Sequence, residues 1–177
     1  MTEQLLMILQ KVREGLNSDP DGIIYGELNV GKKDINNDNP NLQQYFHFLK
    51  EANGGRFGGI DLWPYNELDS NLYRVSDLNG GIKKWIEIGQ ILYEPLVINK
   101  QSGEVYHFYQ GHLEDMGHNL GMFNSFIIDY VFGNKYEKIV PDSHSDEWYQ
   151  FLKRIELVKL LKTLIGLVLS GWYPYIC

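Results

Sequence analysis

Apolar residues recur at helical spacing from Thr2 to Leu16: Leu5, Leu6, Leu9, Val12 and Leu16 share one side, and Asn17-Ser18-Asp19-Pro20 closes the run. Residues 17–39 are rich in Gly, Asn and Asp and read as loop, with one short strand at Ile23-Ile24-Tyr25. A second helix follows over 40–53. Asn39 can cap it, Pro40 suits its first position, and Leu42, Tyr45, Phe46, Leu49 and Ala52 form its inner stripe until Asn53-Gly54-Gly55 stops it.

The period then changes to two. Strands are expected near 57–63, 84–89, 91–98 and 104–109, the last two joined by the loop Asn99-Lys100-Gln101-Ser102-Gly103. Ile86 and Ile88 should face inward, and Trp85 and Glu87 the other way. Met122–Phe132 reads as a helix ended by Gly133, and Asp146 to about Leu169 as a long amphipathic one. Helices flanking a central, mostly antiparallel sheet give an α+β fold, with 1–177 as a single domain. Leu49, Ile86, Ile88 and Phe126 are expected in its core.

Composition narrows the function classes. Of 177 residues, 44% are hydrophobic and 14% aromatic, enough for a globular core. The single cysteine, Cys177, rules out a disulfide framework and a thiolate zinc site. The N-terminus lacks the pattern of a signal peptide, and Glu156, Lys159 and Lys162 interrupt the apolar stretch Ile155–Leu169, so no membrane span is expected and cytoplasm is the expected compartment. That stretch suits core or oligomer packing better than a membrane-surface role. Net charge −7 speaks against direct nucleic-acid binding. The acids concentrate in the body of the chain, with eight acids against two bases over 104–148, and a negative surface steers a basic partner.

Candidate chemistry is thin. His107, His112 and His118 fall within twelve residues, but no pair has the i, i+4 spacing that aims two imidazoles at one ion, so they read as solvated histidines and no metal or cofactor is expected. Asp34-Ile35-Asn36-Asn37-Asp38 imitates a calcium loop, yet Asn39 replaces its glycine and Tyr45 its bidentate Glu. Gly54–Gly59 is glycine-dense but runs from helix into strand, the reverse of a phosphate-binding loop. No serine sits in a nucleophile elbow, and no spacing singles out a pair among the 23 acids. No catalytic residue is assigned.

Four segments, in order, resemble the SUKH superfamily, to which the Smi/Knr regulators of cell-wall synthesis belong. Tyr45-Phe46-His47-Phe48-Leu49-Lys50-Glu51-Ala52-Asn53-Gly54 is similar to its "Y-x-x-F-L-x-x-x-N-G" helix and turn, and Trp85-Ile86-Glu87-Ile88-Gly89 to its central strand. Leu96–Tyr106 resembles the hairpin that follows, and Phe123-Asn124-Ser125-Phe126 the late helix. The likeness covers about residues 40–133. Asn39-Pro40-Asn41-Leu42 and Gln90-Ile91-Leu92-Tyr93 depart from the pattern. The resemblance implies an α+β fold and a binding role: an immunity protein that neutralises a cognate bacterial toxin, such as a basic nuclease domain, or else a Smi/Knr-like scaffold. An enzyme is the third reading.

The candidate partner-binding residues are Asp61 and Trp63 on one strand face, Trp85 and Glu87 on another, and Tyr65, Glu67 and Asp69 in the adjoining loop. If the two faces coincide, aromatic anchors lie beside carboxylates, the mixture expected of charge-steered binding. The alternative is that Trp63 and Trp85 only cover the sheet under the C-terminal helix. The acidic stretch 104–118 is the next candidate.

Overall fold

Among the described residues seven strands form one antiparallel sheet in strict chain order, each bonded to the strand before it. The structure, a computed structural model, describes residues 1–19, 22–109 and 117–158. The strands are β1 (Gly26–Leu28), β2 (Gly55–Phe57), β3 (Ile60–Leu62), β4 (Trp85–Ile91), β5 (Glu94–Asn99), β6 (Glu104–His107) and β7 (His118–Met122). The helices are α1 (Glu3–Ser18), α2 (Gln43–Glu51), the single turns α3 (Gly81–Lys84) and α4 (Phe123–Phe126), and α5 (Glu147–Arg154). The fold is α+β.

Capping chemistry sets the helix starts. Thr2 Oγ1 accepts the Leu5 N–H at 3.3 Å, Asn39 Oδ1 the Asn41 N–H at 3.0 Å, and Asp146 Oδ1 the Trp148 N–H at 2.8 Å. Leu5, Leu9 and Val12 of α1 join Tyr45, Phe48 and Leu49 of α2 against the inner face of the sheet. Ile60, Leu62, Ile88, Ile91, Leu96, Ile98 and Val105 supply that face, and Phe123, Phe126, Trp148, Phe151 and Leu152 close the core. Leu49, Ile88 and Phe126 are fully buried; Ile86 is only partly so.

Several boundaries differ from the sequence reading. The expected strand at 57–63 is a hairpin, because Gly58, at φ +62°, and Gly59 turn the chain between Phe57 and Ile60. The next two strands break at Leu92-Tyr93, so β4 extends to Ile91 and β5 starts at Glu94. The first strand lies at 26–28, after a turn at 24–25. The late helix is one α turn continued as π-helix over Ile127–Val131. The last helix stops at Arg154, where Glu156 adopts φ +57° and the Leu157 N–H returns to the Leu152 carbonyl at 2.9 Å; residues 159–169 of that expected helix lie outside the described residues. No helix among the described residues is long and apolar enough to cross a membrane.

The outer face of the sheet has two halves. Over β4–β6, Trp85, Val97 and Phe108 pack with Val75 and Leu78 into a second, smaller core. Over β2–β4 the face is polar, carrying Arg56, Asp61, Glu87 and Gln90.

Candidate binding cleft

Three connections end together at one end of the sheet. The Gly58 N–H donates to the Tyr25 carbonyl at 2.8 Å, and the Leu92 N–H to the Gly59 carbonyl at 2.9 Å. The 140–147 segment faces them, and the space between is a cleft of about 540 Å³. Tyr136 fixes this end: its buried hydroxyl accepts the Gly59 N–H at 2.8 Å and donates to the Asp146 carboxylate. Burial, then the bond to Asp146, hold that phenol far above its ordinary pKa. Gly58 is obligatory beneath it, since a Cβ there would lie 2.3 Å from the Tyr136 hydroxyl.

The cleft collects features that a fold ordinarily disperses. Ile24, Tyr25, Leu92 and Tyr93 line it, four of the eleven large apolar side chains exposed among the described residues. Four of the five non-glycine residues at positive φ among them, Tyr25, Leu92, Tyr93 and Asp142, also line it. Left-handed backbone costs an ordinary residue about 1–2 kcal/mol. The β4–β5 turn is the clearest case. With Ile91 opposite Glu94 it has two central residues, at φ +50° and +73°, where Asn-Gly is the favoured pair; here a leucine and a tyrosine project from it. Tyr93 is 77% exposed. Strain held where bulky side chains face solvent points to a role outside the fold's own packing.

The floor is acidic. Asp61, Asp142, Asp146 and Glu147 line the cleft with one cation, Arg56. Arg56 lies with its guanidinium carbon 4.4 Å from the centre of the Tyr25 ring and its Nε 3.3 Å from Asp61 Oδ1. Gln90 Nε2 donates to Asp61 Oδ2 at 2.8 Å, and Glu147 Oε2 accepts the Ile24 N–H at 2.9 Å. Arg56 and Asp61 also border a second depression of about 390 Å³ that includes Glu27, Trp63 and Glu67.

The residues singled out from sequence divide between three places. Asp61, Trp63 and Glu87 meet in one network, in which Trp63 Nε1 donates to Glu87 Oε1 at 3.2 Å and Arg74 joins Glu87 to Gln90. Glu87 and Trp85, however, are buried, at 0% and 2% exposure, and neither presents a side chain to a partner. What covers Trp85 is the Val75–Leu78 segment, not the C-terminal helix, and its indole N–H donates to the Asn79 carbonyl at 2.9 Å. Burial raises the Glu87 pKa while Arg74 and Trp63 pull it down. Tyr65 packs toward Phe46 of α2, whereas Glu67 and Asp69 are exposed. Tyr25, Arg56, Leu92, Tyr93, Asp142 and Glu147 were not singled out. The available signal was a bulky Leu-Tyr pair between two strand-like runs, which reads as continuous strand unless the turn is recognised.

Of the described candidate histidines, His107 departs from expectation and His118 is exposed as expected. His107 is buried on β6, with Nε2 3.2 Å from Glu94 Oε2, and exposed His118 is its cross-strand partner on β7. Burial lowers the His107 pKa, with Glu94 opposing. His107, Glu94 and Glu137 line a separate cleft of about 390 Å³, whose lining includes no serine or cysteine. His112 lies outside the described residues. Among the described residues no group of three or more His, Cys, Asp or Glu is placed to hold a metal ion.

Comparison of the chain with protein-family models, curated proteins and solved structures gives no match.

Proposed function

We propose that the chain acts by binding another protein stoichiometrically, as an immunity protein that neutralises a cognate bacterial toxin in the cytoplasm. The observation that carries the binding reading is the convergence of exposed apolar side chains and left-handed backbone on one acidic cleft. Tyrosines at the rim supply contact area at small entropic cost, and carboxylates beneath them favour a basic partner such as a nuclease domain. The resemblance over 40–133 supplies the narrower assignment to toxin immunity.

The test is protection. Proteins encoded beside this chain are expressed in a sensitive host with and without it, and the purified pair is mixed to look for a one-to-one complex. Rescue of growth together with complex formation is expected. A neighbouring toxin whose action the chain neither binds nor blunts would remove the immunity reading.

The pairing of buried His107 with half-buried Glu94 is the feature of the described residues that favours an enzyme, since a carboxylate beside an imidazole is the arrangement of a general base. His107→Gln decides between the two: protection is retained if binding is the function and abolished if His107 performs chemistry.

A further inference from the structure

We propose that the cleft captures an arginine side chain of the partner, and that the chain's own Arg56 occupies its place until the partner arrives. This rests on the binding reading above and adds the chemistry that is recognised.

The subsite is already built around a guanidinium. A tyrosine ring lies 4.4 Å from the Arg56 guanidinium carbon, and a carboxylate oxygen lies 3.3 Å from its Nε. A flat, delocalised cation matches a ring face and a carboxylate edge together, which a tetrahedral ammonium does less well. Asp61 is positioned for the task, because Gln90 holds its second oxygen at 2.8 Å and only about a fifth of the side chain is exposed. Tyr25 is held by its own backbone, whose carbonyl accepts the Gly58 N–H.

Arg56 itself is loosely committed. Its side chain is 51% exposed, and its contact with Asp61 is a single long one. Such an ion pair contributes little against solvent, so leaving it costs the fold little. The charge balance favours replacement by a second cation: among the described residues Arg56 is the only basic one lining either depression, while Asp61, Asp142, Asp146 and Glu147 line one and Glu27, Asp61 and Glu67 the other. An incoming arginine meets linings of net negative charge, and Arg56 can swing toward Glu27, its cross-strand neighbour on β1.

The experiment uses the whole chain and N-acetyl-arginine methylamide as probe, followed through the ring resonances of Tyr25 and Tyr93. The citrulline analogue, isosteric but neutral, and the lysine analogue run in parallel. Saturable shifts are expected with arginine, at least threefold weaker ones with lysine, and none with citrulline. Arg56→Ala, an exposed truncation, should bind the arginine probe at least threefold more tightly because the competitor is gone. Unchanged or weaker binding by Arg56→Ala overturns the proposal, as does equal binding of citrulline or lysine. The broader reading is tested separately with Tyr93→Ala against the partner protein. Loss of partner binding there, with no response to arginine, would leave the binding surface standing and remove only the arginine.

Discussion

Arg74 holds Glu87 from below and Tyr93 from behind: its Nε donates to Glu87 Oε1 at 3.0 Å, and its Nη1 to the Tyr93 carbonyl at 2.8 Å. A buried carboxylate and the exposed tip of the cleft therefore share one guanidinium. Arg74→Ala leaves Glu87 buried without its cation, a change that costs about 3 kcal/mol or more. The loss depends on pH. Burial already raises the folded-state pKa of Glu87 above 4.5, and removing Arg74 raises it further. A folded state that binds more protons than the unfolded one loses stability as pH rises from the unfolded pKa through the folded one. Urea midpoints of the variant should fall further behind wild type as pH climbs from about 4 to neutrality. A deficit constant over that range would mean that Glu87 does not titrate there.

Leu92→Asn with Tyr93→Gly replaces a strained two-residue turn by the pair that adopts positive φ most readily. Stability should rise by about 1–3 kcal/mol, read from the denaturation midpoint, because two left-handed penalties are relieved. Partner binding should fall at the same time. A variant that is more stable and binds unchanged would show that the Leu-Tyr pair has no role in recognition.

Tyr45 is buried at 1% exposure, and its hydroxyl has no hydrogen-bond partner among the described residues. Burial alone drives its pKa far above the ordinary phenol value. Tyr45→Phe removes an unsatisfied polar atom and keeps the ring against Phe46 and Phe123, so it should be neutral or stabilising by up to about 1 kcal/mol. Clear destabilisation in thermal melts would imply a bound water or an alternative hydroxyl partner.

His107 has the opposite sign to Glu87. Its folded-state pKa lies below 6.5, chiefly through burial, so the unfolded chain binds more protons between the two values. Stability from this group is complete above 6.5 and is lost as pH falls through that value toward the folded pKa. His107→Gln should flatten that part of the stability profile, measured by urea unfolding between about pH 7.5 and 5. An unaltered slope would assign the acid limb to other groups.

The α+β class, the helices α1 and α2 and the sheet-forming middle were legible because each depends on local periodicity. Thr2–Leu16, the Asn39 cap and the alternation at Ile86–Ile88 follow from which side chains can be buried together within one element. The end of β4 was harder to see. Ile91 to Ile98 is apolar enough to read as one strand, and nothing local marks Leu92-Tyr93 as a turn, since that pair opposes the usual turn chemistry. The candidate site was half legible for the same reason. Asp61 and Trp63 lie on the expected face, but a strand face has no fixed exposure until its covering is known.

That covering is what tertiary structure decided. The sequence by itself determined which residues alternate and where helices begin, because those depend on bonds and contacts a few residues apart. Only the folded chain placed Val75 and Leu78 over Trp85, buried Glu87 against Arg74, and gathered Tyr25, Arg56, Tyr93 and Glu147 around one cleft. These contacts join residues from 7 to more than 100 positions apart, and their energy comes from burial and charge pairing between elements, which no local pattern encodes.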